Sequence, residues 1–196
     1  MSDSPSDERL LAAARSGDRQ ALETLLERHQ PRVYRFGMKM CRDPEDAKDV
    51  LQDTLFAMAR GVRAFRGASS LSTWLYTIAR SFCIKMRRRG KSAPDAARAL
   101  GGADPIEASL PAAASAPDDE LAGKRVEQVL ARSIAALDPM YREVLLLRDV
   151  EGLTAPEVAD VLGVTVQAVK SRLHRARLLV REAVAPLSGE GLDAKP

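Results

Sequence analysis

The segment from Ser92 to Asp118 constrains the fold most, because it divides the chain in two and cannot contribute to a hydrophobic core. It is rich in alanine, contains Gly101 and Gly102, and holds almost no large apolar side chain. Prolines interrupt it at positions 94, 105, 111 and 117. Such a composition buries too little apolar surface to offset its conformational entropy, which predicts a flexible linker between two folded blocks.

Helical patterns fill both blocks. Aromatic residues make up only 4% of the chain, β-branched runs are scarce, and Ala, Leu, Arg and Glu are plentiful. This composition favours helices over sheet, so we predict an all-α protein of two small helical domains. The domains are expected at residues 1–91 and 119–186, with the linker at residues 92–118 and a polar tail at residues 187–196.

Four helices are predicted in the first block. Two run from Glu8 to Arg15 and from Asp18 to Met40, and Pro31 is expected to break or kink the second. The run Asp43-Pro44-Glu45 has an N-cap and a first-turn proline, so it begins the third helix. One face of that helix is predicted to be buried, namely Ala47, Val50, Leu51, Thr54, Leu55 and Met58. The fourth is expected from about Leu71 to Arg89.

The second block has the pattern of a helix-turn-helix. Two helices are expected first, one ending near Leu137 and the next running from Met140 to Val150. A capping box, Thr154-Ala155-Pro156-Glu157, then starts a short helix. Thr165 caps a longer helix that reaches about Ala183. Between the last two helices the spacing suits a close helix crossing and a left-handed turn, at Ala159, Gly163, Val164 and Val169.

The last helix is interpreted as a DNA-recognition helix. Its apolar stripe leaves a polar face on the opposite side, formed by Gln167, Lys170, Ser171, His174 and Arg175. Arg172, Arg177 and Arg181 add positive charge around that face. Lys, Gln and Arg can read base edges in the major groove, while Ser and peripheral Arg suit phosphates. The alternative is an ordinary solvated face.

The fourth helix of the first block is a candidate binding site for unpaired bases of DNA. It ends in a basic run from Lys85 to Lys91, and its polar side carries Trp74, Thr77 and Ser81 beside Thr73 and Arg80. An exposed Trp with hydroxyls and arginines is a platform on which bases can stack. The preceding run from Phe65 to Ser70 is a loop that could hold an extruded base. The alternative is that Trp74 belongs to the core.

The third helix has an acidic face opposite its apolar stripe. The residues of this face are Asp46, Asp49, Gln52, Asp53 and Phe56. Acids on a helix are usually only solvated, but an aromatic among them is more typical of a docking surface for a basic partner.

No cofactor or enzymatic chemistry is predicted. Cys41 and Cys83 are far apart in sequence without metal-site spacing, and the histidines are His29 and His174, so the cysteines are interpreted as buried core thiols. No glycine loop that could cradle phosphate and no nucleophile with a base is found. The chain lacks an apolar run long enough to span a bilayer and the pattern of a signal peptide, which predicts a cytoplasmic protein.

Together these motifs resemble the extracytoplasmic-function (ECF) sigma factors, of the sigma-70 type. The region 2 resemblance rests on Gly17-Asp18 with Ala21, on the run from Asp46 to Leu55, on Phe65-Arg66-Gly67 and on the run from Thr73 to Arg80. The region 4 resemblance rests on Leu137-Asp138-Pro139, on the runs Arg142 to Arg148 and Glu151 to Thr154, on Glu157-Val158-Ala159 and on the run Val169 to Arg177.

The resemblance implies a sigma factor that binds core RNA polymerase, through the β′ clamp and the β flap, directs promoter recognition and DNA melting, and is controlled by an anti-sigma factor. The candidate polymerase contacts are Asp46, Asp49, Gln52, Asp53 and Phe56. The candidate contacts to the minus-ten element are Phe65, Arg66, Ser69, Trp74, Thr77, Arg80, Ser81 and Arg88. The candidate contacts to the minus-thirty-five element are Gln167, Lys170, Ser171, His174, Arg175 and Arg177.

Three residues depart from the pattern of the family. Lys48 stands where an acid is common, Ser81 where many relatives carry Asn, and Leu71 where an aromatic is frequent. These departures leave the class intact but leave the preferred promoter sequence open.

The linker has the reach that such a role requires. Two promoter elements about 17 base pairs apart are separated by roughly 55 to 60 Å. Residues 92–118 would span about 28 Å as a free coil and about 90 Å when extended. This fits a linker threaded through the polymerase better than one that holds two domains in fixed contact.

Two other classes of protein compete with this interpretation. A helix-turn-helix regulator that does not act through core polymerase would need a receiver or ligand domain upstream, and the first block lacks the alternating strands of a receiver. The chain could also be a binding module whose main role is to titrate a regulator.

Overall fold

The structure, a computed structural model, describes residues 5–92 and 117–185, and within these ranges every regular element is a helix. The first block contains α1 (Asp7–Arg15), α2 (Arg19–Cys41), α3 (Pro44–Gly61) and α4 (Leu71–Ser92). The second contains α5 (Pro117–Ala136), α6 (Pro139–Leu145), a π-helical turn (Leu146–Val150), α7 (Ala155–Leu162) and α8 (Val166–Val184). The all-α prediction is confirmed.

Local capping signals place most helix ends where the sequence predicts them. Asp43 accepts a hydrogen bond from the Asp46 N–H at 2.9 Å and starts α3. Thr154 and Glu157 form the expected capping box of α7. Gly163 ends α7 with φ 65°, in the left-handed region that glycine adopts without steric cost.

The chain does not break at Pro31, because α2 runs without interruption from Arg19 to Cys41. Proline removes one backbone donor from a helix and crowds the preceding turn. Here the buried side chains before and after it, Leu25 and Phe36 among them, pack on the same core. Tertiary packing on both sides of the proline offsets its local cost.

The helix predicted from Met140 to Val150 has two parts. α6 ends at Leu145, and the chain continues as a π-helical turn to Val150. The wider turn changes the direction in which the following residue, Glu151, leaves the helix. Glu151 is buried, and it contacts the first block.

The two blocks contact each other, chiefly where α7 packs on α4. Apolar residues of both blocks belong to one buried cluster, with Phe36 and Tyr76 in ring contact at 5.2 Å on one side and Leu146 and Val158 on the other. The sequence left open whether the two domains pack together in the free chain, and the structure shows them in contact. Most of the predicted linker and all of the predicted tail lie outside the described residues.

Across the described ranges, no helix combines the length and the apolar character that crossing a bilayer requires.

A buried arginine ties α5 to α6. Arg142 is 3% exposed, and its guanidinium donates to the carbonyls of Ile134 (3.1 Å), Ala135 (2.7 Å) and Leu137 (2.6 Å). These carbonyls lie at the C-terminal end of α5, where helical partners are missing and a positive charge is favoured. Burial, followed by the neighbouring Arg42 and Arg87, lowers the pKa of Arg142 to about 10.

Replacing Arg142 by Leu is expected to lower the free energy of unfolding by about 3 kcal/mol, because the substitution leaves buried carbonyls without donors. Urea denaturation followed by circular dichroism measures this loss. Arg132→Leu, at an exposed position of α5, is the matched control and should change stability by no more than about 0.5 kcal/mol. Equal effects of the two variants would contradict the capping role of Arg142.

Candidate nucleic-acid and partner interfaces

α8 presents the predicted recognition face to solvent. Val169, Leu173 and Ala176 are buried and fix α8 against the rest of the second block. The turn before α8 is closed by a hydrogen bond from the Val164 N–H to the Ala159 carbonyl at 3.1 Å. On the opposite side the structure exposes Gln167, Lys170, Ser171, His174 and Arg175.

Arg177 differs from its neighbours on α8, because it is already paired. Its guanidinium binds both carboxylate oxygens of Asp149, at 2.7 and 2.9 Å. This hydrogen-bonded pair raises the pKa of Arg177. The side chain is exposed and links α8 to the π-helical turn, so a phosphate contact would have to compete with Asp149.

The acidic face of α3 is also open. Asp49, Gln52 and Asp53 are exposed, and Phe56 is 53% exposed with the guanidinium of Arg60 at 6.0 Å from its ring centre. Asp46 is half-buried, and its backbone N–H belongs to the cap of the helix. An aromatic ring that remains half in water beside carboxylates is suited to a partner with basic and apolar groups.

Lys48, one of the residues expected to depart from the family pattern, forms an ion pair with Glu45 at 2.7 Å. The hydrogen bond to Glu45 raises the pKa of the lysine. Because Glu45 compensates its charge, Lys48 adds little net positive charge to the acidic face.

Phe65 and Trp74 stack on each other, with ring centres 4.8 Å apart and planes inclined by 29°. Phe65 is buried and Trp74 is half-buried. Trp74 is therefore neither fully exposed nor fully part of the core, the two alternatives that the sequence left open. Gly61 makes the close approach possible, since a Cβ there would lie 2.9 Å from Cζ2 of the indole. Among the other predicted minus-ten residues, Ser69 is half-buried. Four more have exposed side chains, namely Arg66, Thr77, Ser81 and Arg88.

Arg80 does not join Thr77 and Ser81, because it lies on another side of α4. It belongs to a row at helical spacing that faces the second block and that we name the polar stripe. The polar stripe consists of Ser70, Thr73, Tyr76, Arg80 and Arg87. Glutamates of the second block, here named the acidic row, bind it. The acidic row consists of Glu143, Glu151 and Glu157.

Each member of the acidic row has its own partners on the polar stripe. Glu143, 6% exposed, accepts from Arg80 Nε at 2.9 Å and from Arg87 Nη2 at 3.0 Å. Glu157 accepts from the Ser70 hydroxyl at 2.6 Å through the oxygen that its capping box leaves free. A carboxylate as little exposed as Glu143 requires such partners, because burial removes its hydration, whereas Glu157 is half-buried.

Glu151 occupies the centre of this contact. It is 8% exposed and accepts a short hydrogen bond from the Tyr76 hydroxyl. Arg32 of α2 donates to the Glu151 backbone carbonyl at 3.0 Å and lies 3.6 Å from its carboxylate. Burial and the hydrogen bond to Glu151 raise the pKa of Tyr76, so its hydroxyl stays protonated as a donor.

The interblock contact is sensitive to acid through Glu157. The hydrogen bond from Ser70, together with those from Thr154, lowers the pKa of this carboxyl below its usual range. A carboxylate with a lowered pKa stabilises the folded form at neutral pH, and the stabilisation is lost as the pH falls through the lowered value.

Sequence reasoning missed the interblock contact. The i, i+3, i+7 and i+14 spacing of Thr73, Tyr76, Arg80 and Arg87 was a readable signal for a polar helix face. Nothing in the sequence pairs that face with glutamates about 60 to 90 positions later, because helical periodicity reports only which residues share a face. In the described ranges no group of three or more His, Cys, Asp or Glu is arranged to hold a metal ion.

Both blocks match family models. The model described as Sigma-70 region 2 matches residues 25–93, and the model described as Sigma-70, region 4 matches residues 127–180. The ECF RNA polymerase sigma factor SigM of Mycobacterium tuberculosis is 34% identical over 172 residues, covering 88% of this chain and 81% of SigM. The RNA polymerase sigma-H factor of Pseudomonas aeruginosa is 28% identical over 186 residues, covering 94% and 96% of the two chains.

Two solved structures are similar to the whole arrangement. CnrH in complex with the cytosolic domain of CnrY has a TM-score of 0.65 and 26% identity, covering 93% of this chain and 99% of the other. The sigma factor RpoE in complex with the anti-sigma factor NepR, from Bartonella quintana, has a TM-score of 0.63 and 26% identity, covering 83% and 96%.

Substituting Glu143 and Glu151 together by Gln is expected to weaken the interblock contact by about 2 kcal/mol, because the shape is kept while the charge facing the arginines is lost. Urea unfolding tests this with two signals: fluorescence of Trp74, which reports the first block, and circular dichroism, which reports both. The transitions should coincide in the wild type and separate in the variant.

The matched control is Glu127→Gln with Glu182→Gln, two exposed positions of the second block. It should leave the transitions coincident. Coincident transitions in the Glu143→Gln, Glu151→Gln variant would show that these carboxylates do not couple the blocks.

Proposed function

The chain belongs to the ECF RNA polymerase sigma factors, and on that basis we propose that it binds core RNA polymerase and directs it to a promoter with two recognition elements. The observation that carries the proposal is the presence of two exposed faces of opposite charge on different blocks. The face on α3 is acidic with an exposed aromatic, and the face on α8 is basic and belongs to a helix-turn-helix.

The α3 face is proposed to dock on the clamp of the β′ subunit. Asp49, Asp53 and Gln52 are exposed along one side of a helix whose other side is fixed in the core. Phe56 adds exposed apolar surface, and its burial by a partner would be favourable. Carboxylates around an aromatic suit a basic helical partner, since the charges steer and orient while the ring supplies burial.

The α8 face is proposed to read the minus-thirty-five element in the duplex. Lys170 and Arg175 can contact base edges or phosphates, and Gln167 can pair with adenine. Ser171 and His174 lie between them on the exposed side of the same helix. The buried Val169 and Ala176 fix the rotation of α8, so these side chains are presented together.

The minus-ten element is proposed to bind along the loop before α4 and the outer side of α4. Arg66, Thr77, Ser81 and Arg88 are exposed there, which suits phosphates and base edges of a melted strand. The stacked Phe65 and Trp74 form an aromatic wall beside them, and Ser69 lies in the loop. Arg80 is proposed to contact the minus-ten element only after its ion pair with Glu143 has broken.

The blocks must separate for the proposed activity. α7 packs on both α4 and α8, so at ordinary interhelical distances α8 lies at most about 20 Å from α4. Promoter elements about 17 base pairs apart are roughly 55 to 60 Å from each other. The arrangement in this structure is therefore proposed to be the form of the chain before it binds polymerase and DNA.

An anti-sigma factor is the proposed regulator. CnrH was solved with the cytosolic domain of CnrY, and RpoE with the anti-sigma factor NepR, and this chain is similar to both. Isolation of the chain from its native cell with and without an inducing stress tests the proposal. Recovery of polymerase without any small inhibitory protein would count against it.

We further propose that the chain acts in the cytoplasm and catalyses no reaction of its own. Its contribution is recognition, and nucleotide addition belongs to the polymerase.

In vitro transcription with sigma-free core polymerase on a library of promoter sequences tests the function directly. Initiation that depends on this chain, at templates sharing two elements, is the expected result, and the shared elements give the sequence preference. Absence of initiation with folded, inhibitor-free protein would favour a helix-turn-helix regulator that acts without polymerase.

Replacing Lys170 and Arg175 by Ala is expected to weaken binding of the holoenzyme to duplex promoter DNA by at least about tenfold, and to reduce the dependence of binding on salt. Affinity for core polymerase should not change, because these residues lie on the other block. Arg15→Ala with Arg132→Ala removes the same charge from exposed positions of α1 and α5 and should have a much smaller effect. Joint loss of DNA and polymerase binding would refute this division.

Replacing Asp49 and Asp53 by Lys is expected to lower the affinity for core polymerase by at least about tenfold, because like charges would face a basic partner. The measurement is a fluorescence titration of labelled chain with core enzyme at two salt concentrations. Glu8→Lys with Glu23→Lys makes the same charge change at exposed positions of α1 and α2. If both variants bind like the wild type, the α3 face is not the docking surface.

A further inference from the structure

Two thiols that are 42 positions apart in the sequence meet where the end of α2 crosses α4. The sulfur atoms of Cys41 and Cys83 lie 3.6 Å apart, and both cysteines are free thiols. The sequence suggested two separate core thiols, and the structure places them side by side. Neither the polymerase face nor the DNA faces proposed above include them.

The two thiols differ in access. Cys83 is buried in the core, whereas Cys41 is half-buried and is the last residue of α2. Arg42, which follows, has left the helix with φ 63°. A disulfide requires the sulfurs to approach to about 2.05 Å, so they must move closer by about 1.5 Å. Because Cys41 lies at a helix end, its side chain can rotate toward Cys83 more readily than it could from the middle of a helix.

The surroundings make Cys41 the more reactive thiol. A hydrogen bond with Cys83 lowers the pKa of Cys41, with Arg87 acting in the same direction and burial, Asp46 and Asp43 opposing it. The same hydrogen bond and burial raise the pKa of Cys83. The accessible sulfur is therefore the one that more readily becomes a thiolate, the form that attacks oxidants.

We propose that Cys41 and Cys83 form a reversible disulfide, and that the first block thereby contains an oxidation site for hydroperoxides. In the first step the Cys41 thiolate attacks one oxygen of hydrogen peroxide, the O–O bond breaks, and Cys41 becomes a sulfenic acid. The leaving hydroxide takes up the proton that the Cys41 thiol had given up and departs as water. In the second step the Cys83 sulfur attacks the Cys41 sulfur. The S–S bond forms, the S–O bond breaks, and the leaving hydroxide takes the Cys83 proton as water.

Overall the two thiols lose two electrons and two protons, and one hydrogen peroxide is reduced to two waters. A dithiol reductant reverses the change by thiol–disulfide exchange. The disulfide joins the end of α2 to the middle of α4 and closes a loop that contains all of α3. The disulfide therefore stabilises the first block under oxidising conditions, because the closed loop lowers the conformational entropy of that block in the unfolded chain.

The test uses the full-length reduced chain treated with hydrogen peroxide, then alkylated, digested and analysed by mass spectrometry. The expected product is a cross-linked peptide pair joining Cys41 to Cys83 within one chain, two hydrogen atoms lighter than the reduced pair and restored by dithiothreitol. The midpoint of thermal unfolding should rise by at least about 5 °C on oxidation and return on reduction.

Single substitutions separate the two roles. Cys83→Ser should leave Cys41 as a sulfenic acid that a dimedone probe captures, whereas Cys41→Ser should leave Cys83 unmodified because it is buried. Neither variant should gain thermal stability with peroxide.

Three results would overturn the proposal: free thiols in the folded wild type after peroxide, a Cys41 sulfinic acid without cross-link, or a disulfide only between two chains. The wild-type measurement decides the matter even if a variant fails to fold. It requires neither polymerase nor DNA, so its outcome is independent of the proposed function.

Discussion

The relation between the two blocks depends on three carboxylates of one block that bind hydroxyl and guanidinium groups of the other. Glu143 and Glu151 lose most of their hydration at this contact, and Arg80 and Arg87, Tyr76 and Arg32 compensate for that loss. Glu157 is half-buried and accepts from Ser70 as well as from its own capping box. These polar contacts differ from the apolar cluster that the two blocks also share, because the desolvation cost of a buried carboxylate cancels much of its Coulomb attraction. They specify one arrangement of the blocks without adding much stability, which suits a contact that has to open.

The chemistry of the polar stripe explains how a partner can open it. Arginines and hydroxyls bind carboxylate and phosphate oxygens by the same hydrogen bonds, and arginine forks suit both anions. Under the proposed function, Arg80 exchanges Glu143 for the DNA backbone when the blocks part. In the same proposal, polymerase binding at α3 and DNA binding at α8 would provide the free energy for this exchange. The structure leaves both faces exposed in the closed form.

The sequence was informative wherever a short-range rule decides the structure. Asp43, Thr154 and Thr165 cap the helices they were expected to cap, and Gly163 has the left-handed conformation that its turn requires. It failed where distant residues decide, as at Pro31, whose cost is offset by packing, and at Glu151, which a π-helical turn aims at Tyr76. Arg80 and the meeting of Cys41 with Cys83 depend equally on how helices pack, which periodicity within one helix does not reveal.

We propose that the free chain is closed and that polymerase opens it. Energy transfer between fluorophores on unnatural amino acids at Glu23 of α2 and Arg181 of α8, both exposed, measures this directly while leaving the cysteines unlabelled. One state of high transfer is expected in the free chain, with a shift to low transfer when core polymerase is added. Low transfer in the free chain, or high transfer that persists on the polymerase, would contradict the proposal.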